Sequence, residues 1–572
     1  MCLIAGICAG DATAACVPLV LWQWLFVGLL AVVLLLYLLN RHAIVQTLIL
    51  FGIMMAGGAW RIAYVERQQR YAFSGEEETY EAVVVAQPIE KKRSFKCELA
   101  IVRGRLAGHR VNAYFQKSHT DTAALSLTVG DGITAQSVFS HFDYDARALR
   151  GGFSWRRQRM VRDIVARTFI ASDGWKRAEV GIKSLTLIGR LGLSLQSLRQ
   201  TLLRRLRGSS VSEDAYATIA AMTLGDKTAL TTQLRESYSK AGVSHVLALS
   251  GLHLGIIYAM LALLLGQRRN TMLGLVATIT LIWLFALMVG MSPGIVRSAA
   301  MFTLYTSMSY LSREYLTLNS LAAAATIILV ASPAMLWDVG FQMSFLAVLG
   351  IVIGHAMVRN NRFYVRYSRR GVVGKLVSLV FVSLAAQTFV LPLVMYYFGN
   401  VPLYFILANI VAVPLTTLII YMSILLFVLS PLCAFGTLAD VAWQWLAAAV
   451  GWLASGMNSL LSLIAKLPGA SVEGVYISAV QLFAMYLLIA ALLCVWRYCQ
   501  RMYDSAHGTP IDRIKSGYTL KQSSSSFIAS ASRLSRSFII TPCSSSAMRV
   551  DISVVCCRLW LDTITVAPVS LL

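Results

Sequence analysis

The stretch "VPLVLWQWLFVGLLAVVLLLYLL", residues 17–39, carries no charged side chain in 23 positions. A helix of roughly 20 apolar residues is enough to cross a hydrocarbon layer. Further apolar runs predict spans at 43–64, 243–265, 271–290, 295–311, 317–332, 337–357, 374–398, 402–430 and 474–496. One architecture suits such a chain: a bundle of helices, each satisfying its own backbone polar groups in lipid. Composition agrees, since 13% of residues are charged and 57% hydrophobic, against about 25% charged in a soluble domain. The Trp-rich stretch 438–467, with Trp443, Trp445 and Trp452, either spans or lies at the membrane interface, and its tryptophans favour the interface.

Residues 66–240 break this pattern. "TYEAVVVAQPI", "SFKCELAIVRGRL", "HRVNAYF" and "GDGITAQSV" are short β-rich runs parted by Gly, Pro, Asn and charged turns, which predicts a small β-domain of barrel size. "SLQSLRQTLLRRLRG" (194–208) follows as a basic amphipathic helix, a type that lies on membrane surfaces. The chain therefore divides into N-terminal membrane helices (1–65), a β-domain (66–170), amphipathic linker helices (171–240), a helical membrane core (241–497) and a Ser-rich low-complexity tail (498–572). "MCLIAGICAGDA" reads as the second half of a membrane helix.

The balance of 50 Lys+Arg against 27 Asp+Glu gives a net charge of +23. Part of this excess is topological. With the β-domain outside, alternation puts Asn40-Arg41-His42, "GQRRN" (266–270), "SREY" (312–315) and "RNNRFYVRYSRRGVVGK" (359–375) all inside. Short cytoplasmic loops favour Lys and Arg, whereas large domains translocate regardless of charge. The β-domain is therefore predicted to be extracytoplasmic. The ten cysteines are scattered without a CxxC pair, so neither a metal knuckle nor a disulfide framework is indicated.

Polar groups at bilayer depth are costly and mark candidate sites. "AGVSHVLALSGLHLG" (241–255) places Ser244, His245, Ser250 and His253 where aliphatic side chains are expected. Ser250 as nucleophile with His253 as base would make a hydrolase. Three residues apart on a helix, they sit side by side with no orienting carboxylate, which favours pore lining or inter-helix hydrogen bonding. Arg297 either snorkels to the interface or faces the core. Asp338 suits a helix cap, and Gln342 either bonds across helices or faces a wet path. Pro293, Gly294 and Gly340 fit broken helices that line a conduit. In the β-domain, "IEKKRSFK" and "HRVNAYFQK" supply Lys91, Lys92, Arg93, Lys96, Arg110 and Lys117 around Phe95, Tyr114 and Phe115. These are either solvated hairpin charges around core aromatics or a groove for phosphates and bases.

Several blocks in order resemble the ComEC family of competence proteins. They are "LGDKTAL" (224–230, with Asp226), "AGVSHVLALSGLHLG", "GMSPGIVRSAAM" (290–301), "DVGFQMSFLAVLGI" (338–351) and "LPLVMYYFGNVPLYFILANIVAVPL" (391–415). "FDYDARALRGG" (142–152) resembles the end of the family's extracytoplasmic OB-type domain. The resemblance spans about 1–500. It implies a polytopic α-helical protein of the plasma (inner) membrane with an OB-type β-barrel, conducting single-stranded DNA inward during natural transformation. Asp226, His245, Ser250, His253, Arg297 and Gln342 would then belong to its channel core.

Many family members add a metallo-β-lactamase-like domain, whose His-x-His-x-Asp-His motif is absent here: no two of the eight histidines stand two apart. No enzyme, metal or cofactor is therefore expected. No Gly-x-x-x-x-Gly-Lys-(Ser/Thr) occurs either, so energy must come from elsewhere. Expected partners are single-stranded DNA, membrane lipids, a DNA receptor, a nuclease and a cytoplasmic ATPase or helicase, with homo-oligomerisation open. The alternatives are a small-molecule or lipid-linked transporter and, more weakly, an intramembrane hydrolase.

Overall fold

The computed structural model describes residues 1–13, 17–38, 43–68, 73, 75–86, 88–91, 93–117, 127–140, 155–178, 187–266, 268, 271–311, 317–358 and 371–507. Asn40-Arg41-His42, Lys92, "FDYDARALRGG", the loops 312–315 and 359–370, and the tail beyond 507 lie outside the described residues.

Three helices open the chain: α1 (Cys2–Thr13), α2 (Leu19–Leu38) and α3 (Ala43–Gln68). α1 lies in backbone contact with α3. A Cβ on Gly6 would collide with the Met55 carbonyl oxygen, and one on Gly10 would stand 2.6 Å from the Ala59 Cα. This Gly-x-x-x-Gly seam is how membrane helices approach closely without a side chain between them.

The β-domain follows, with β1 (Glu77–Val84), β2 (Ile89–Glu90), β3 (Ser94–Arg103), β4 (Arg110–Gln116), β5 (Gly132–Ser140), helix α4 (Trp155–Arg162), β6 (Ile164–Ile170) and β7 (Trp175–Arg177). Strands pair in the order β1-β3-β4-β6-β5, and β5 pairs back onto β1. The five-stranded barrel is closed, so its wall has no free edge. Alternation fills it. Along β3, Phe95, Cys97, Leu99 and Ile101 point inward and are buried with Val111, Ala113, Phe115, Ile133 and Ala166. Their neighbours in sequence face outward, as a period of two requires.

α4 fastens the barrel to the membrane helices. Its Met160 is buried with Leu3, Ile7, Ile62 and Phe341. Arg157 bonds Asp11 at 2.7 Å and lies 4.6 Å from the Trp337 ring.

The core is built from α5 (Leu187–Arg207), α6 (Glu213–Ile219), α7 (Thr232–Lys240), α8 (Gly251–Leu265), α9 (Met272–Met288), α10 (Pro293–Tyr310), α11 (Thr317–Ala331), α12 (Val339–Val358), α13 (Gly371–Phe398), α14 (Phe405–Leu429), α15 (Thr437–Ala465) and α16 (Ala479–His507). A short hairpin of β8 (Asn400–Pro402) and β9 (Ser471–Glu473) ties the start of α14 to the end of α15. Among the described residues, six segments are long and apolar enough to cross a membrane: Ile49–Gln68, Val339–Val358, Gly371–Phe398, Phe405–Leu429, Thr437–Ala465 and Ala479–Gln500.

Three expectations change. The span drawn from 243 begins as a helix only at Gly251, because a 3-10 turn (Ser244–Val246) and four irregular residues precede it. The basic amphipathic helix does not lie on an open surface. Leu202, Leu203 and Leu206 enter a cluster with Ala408, Ala412, Trp443 and Ala447, and Arg205 bonds Asp440 at 3.0 Å. The Trp-rich stretch packs along α14 as one of the six long apolar helices, with Trp443 buried and Trp445 and Trp452 exposed.

Candidate functional site

The first polar region is the outer wall of the barrel. Register sets Lys96 opposite Tyr114, and Tyr114 opposite Phe169; one row along, Glu98 faces Asn112 and Asn112 faces Arg167. The Tyr114 and Phe169 rings stack at 5.2 Å and 25°, and Phe169 is 61% exposed. An aromatic that large on an outer wall gains no core packing, but any base offers it a π-face. The Arg167 guanidinium lies 5.9 Å from the Phe169 ring and donates through Nε to Ser140 Oγ at 3.2 Å.

Burial holds the Lys96 ammonium below the ordinary lysine range; Glu98 opposes this, and Arg162 and Lys91 add to it. Burial and the charges of Arg235 and Arg162 likewise push Lys227 down. Arg162, ion-paired with Glu98 at 3.6 Å, thus bears on a lysine of the barrel wall and on one in the "LGDKT" turn of the core.

The sequence cluster of cations is divided by the fold. Lys91 and Arg93 are exposed on the β2–β3 hairpin, and Lys117 joins them there through Glu90, at 2.7 Å, and the Phe95 ring. Arg110 is exposed at the far end of β4, roughly 20 Å away at about 3.3 Å per residue. Only Lys96 and Tyr114 of that set share the stacked wall. Phe169 and Arg167 complete it and were missed, although the alternation of Ile164, Ala166, Thr168 and Ile170 in "IVARTFI" marks a strand with both residues on its other face.

The second region is the core. After a π-helical turn (Ala220–Leu224), Gly225 has φ +72°; a Cβ there would stand 2.5 Å from Leu249 Cδ1 and 2.7 Å from Val289 Cγ1. Asp226 is buried, and its Oδ1 accepts from the Thr228 amide at 3.1 Å and the Thr228 hydroxyl at 2.8 Å. "LGDKT" is thus a turn held tightly against the breaks before α8 and after α9. Asp226 shapes that turn and bonds none of the other polar core residues.

Ser250 is the N-cap of α8, not a residue within it. Its amide donates to His253 Nδ1 at 3.3 Å, and its Oγ lies 3.0 Å from the same nitrogen. An amide can only donate, so Nδ1 is the acceptor and the ring proton sits on Nε2. That nitrogen is buried with no hydrogen-bond partner. The pair has the spacing of a nucleophile and base, yet no carboxylate orients the far ring nitrogen, and the contact closes a cap in the manner of a capping box. His245 is exposed on the preceding 3-10 turn.

Arg297 does not snorkel. It is 5% exposed, and its Nη1 donates to Asp338 Oδ2 at 2.6 Å. The same carboxylate oxygen accepts from the Phe341 amide at 2.9 Å, capping α12. Gln342 bonds across helices as expected: its Nε2 donates to the Leu336 carbonyl at 2.9 Å, and Tyr397, on α13, donates to its Oε1 at 3.0 Å. Ahead of α10, Gly290 and Met291 both take left-handed backbone, with φ of +89° and +54°. For a methionine this is strained, at a cost of about 1–3 kcal/mol.

Glycines bring these breaks together. A Cβ on Gly251 would stand 3.1 Å from Ser298 Oγ, one on Gly294 3.0 Å from the Leu249 carbonyl, and one on Gly340 2.9 Å from Arg297 Nη2. Helix α8, of 15 residues, rises about 22 Å at 1.5 Å per residue, short of a hydrocarbon core of about 30 Å. Irregular backbone at that depth is tolerated only where it is buried in protein or lines water.

Fold and site together define a multi-pass helical membrane protein with an OB-type barrel and a polar core of interrupted helices. Residues 222–498 match the model of the Competence protein family, so this stretch is a Competence-protein domain. It is 24% identical over 326 residues to the ComE operon protein 3 of Bacillus subtilis (strain 168), covering 56% of this chain and 39% of that protein. It is 29% identical over 160 residues to an uncharacterized protein of Aquifex aeolicus (strain VF5), covering 28% of this chain and 38% of that one. The chain thus spans about two fifths of the length of these relatives. No solved structure matches it.

Proposed function

We propose that the protein conducts single-stranded DNA across the inner membrane during natural transformation. The stacked Tyr114–Phe169 pair carries this reading. An exposed aromatic platform between Lys96 and Arg167, on the outside of a closed barrel, is the chemistry that binds bases and phosphates without regard to sequence. The match of residues 222–498 to the Competence protein family points to the same process.

In this reading the barrel is extracytoplasmic. Arg157 holds it against Trp337 at the start of α12, on the side where α8 and α10 also begin. The opposite helix ends lead into the basic stretches 266–270, 312–315 and 359–375, which the positive-inside rule places in the cytoplasm. The strand passes from the barrel wall by Arg162 and Lys227 to the interrupted helices. Ser250 and His253 serve as a structural cap, and the protein is not an enzyme. A DNA receptor, a nuclease and a cytoplasmic ATPase or helicase supply capture, strand removal and energy.

The decisive experiment deletes the gene and follows labelled DNA. Periplasmic accumulation with no label reaching the cytoplasm is expected. Normal entry would overturn the reading. A small-molecule transporter, using the same helix faces, would leave DNA entry untouched.

A further inference from the structure

Three interrupted helices begin at one place. The first turn of α8 meets α10 where Gly251 abuts Ser298 and Gly294 abuts the Leu249 carbonyl. The first turn of α12 meets α10 through the Arg297–Asp338 bond and the close approach of Gly340 to Arg297. Helix N-termini carry partial positive charge and unbonded amides, which suit an anion. Two of the three are already capped, by His253 for α8 and by Asp338 for α12. Ser292, the N-cap of α10, makes no side-chain cap.

A second observation points to a ligand. Arg297 is nineteen-twentieths buried, as its 5% exposure shows, and its Nε has no hydrogen-bond partner among the described residues. Asp338 takes only Nη1, at one end of the guanidinium. Nε and Nη2 form the other edge, the fork that receives a phosphate on two parallel bonds. Nη2 lies beside Gly340 and Gly294, at 2.9 and 3.7 Å from where their Cβ atoms would be. Nη2 is therefore turned toward the two first-turn positions, Gly294 and Gly340, that carry no side chain. Asp338 balances the Arg297 charge and caps α12, and the start of α10 is left without a side-chain cap.

We propose that Arg297 and the convergent first turns of α8, α10 and α12 form a phosphodiester-binding station at the barrel-side mouth of the helical core. It takes the backbone of a single strand one phosphate at a time. The proposal rests on the conduit reading and deepens it. The Nε–Nη2 edge holds the phosphate, Asp338 keeps the guanidinium oriented, and the glycines let the three helix starts close around the site. A station of fixed donors recognises the charge common to every nucleotide and ignores the base.

The test uses the full chain in lipid nanodiscs, with native cysteines replaced and Ser292→Cys as the reporter. Ser292 is half-buried at the mouth of α10. The reaction rates of the introduced thiol with an anionic sulfonatoethyl and a cationic trimethylammonioethyl methanethiosulfonate are compared, each relative to a free thiol. The anionic reagent is expected to be favoured about tenfold, the factor for one charged hydrogen bond. Arg297→Lys should retain most of the preference. Because Arg297→Gln alone strands Asp338, the neutral pair Arg297→Gln/Asp338→Asn is used for the loss, and near parity is expected. Failure of both reagents to react, equal rates in the parent, or an unchanged preference in the neutral pair would overturn the station.

Protection identifies the ligand. A twelve-residue oligo(dT) should protect the introduced thiol and its methylphosphonate counterpart should not. Protection by inorganic phosphate alone would overturn the phosphodiester assignment while leaving an anion site, and would count against the conduit reading. Loss of the anionic preference removes the station and leaves that reading to the transformation experiment.

Discussion

The barrel wall and the membrane core treat polar groups in opposite ways. On the wall, Phe169 stands in the open beside half-buried Lys96 and Arg167, and the inward residues fill the barrel. In the core, Arg297, Asp338 and His253 are buried, and each is bonded to the start of a helix. In the proposed conduit, removing an outward side chain from the filled barrel should change what it binds, and removing a core polar group should change both the fold and what passes through it. Function and stability would then be separable in one region and joined in the other.

The sharpest break of this contrast is at Arg297. Arg297→Gln leaves a buried, uncompensated carboxylate and should destabilise the protein by about 3–5 kcal/mol. Arg297→Gln/Asp338→Asn should recover most of that. Thermal unfolding of the detergent-solubilised chain measures both. If the single variant is as stable as the parent, the pair is not structural.

Gly225→Ala comes next. It forces a Cβ into left-handed backbone against Leu249 and Val289, an overpacking of about 1–3 kcal/mol. Reduced stability and reduced DNA entry should appear together, since the turn abuts the break before α8. A loss confined to DNA entry would contradict that coupling.

On the wall the expected outcome reverses. Phe169→Ala should weaken binding of a single-stranded oligonucleotide to the full chain by about 1–3 kcal/mol with no change in unfolding temperature. Fluorescence anisotropy and calorimetry separate the two, and a shift in unfolding temperature would move Phe169 into the packed structure.

The smallest effect is a pH dependence at Lys96. Its folded pKa lies below the ordinary lysine value, chiefly through burial. As pH rises it therefore loses its proton, and its hold on phosphate, before an ordinary lysine does. The unfolded chain binds that proton more tightly, so folding stability contributed by this residue is lowest when both states are charged. It rises through the window between the depressed folded value and the ordinary one. Oligonucleotide affinity should fall on the alkaline side of neutrality, and Lys96→Arg should flatten the fall.

Much of this was legible in the sequence. Apolar runs gave the membrane helices, and alternation gave four of the barrel strands. Asp338 as a cap followed from its place at a helix start, and bonding across helices was one of the two readings open for Gln342. The helix start at Gly251 was not legible. Ser250 and His253 fit a continuous helix by spacing, and only the 3-10 turn before them shows that Ser250 stands outside it. Arg297 stayed ambiguous because snorkelling and ion pairing leave the same mark in a sequence; its partner is 41 residues away. The cations of the two hairpins looked like one cluster because sequence distance hides the length of a strand. The Tyr114–Phe169 platform depends on a parallel pairing of β4 with β6, which no local pattern reports.

Arg157 joins parts of the chain that are remote in sequence. It is bonded to Asp11, 146 residues before it, and stacked on Trp337, the residue next to Asp338. Mechanically it is a rivet through the barrel, the first helix and the foot of α12. Under the proposed function, a pull on a strand held at the barrel wall would be borne at that joint, one residue from the carboxylate that bonds Arg297.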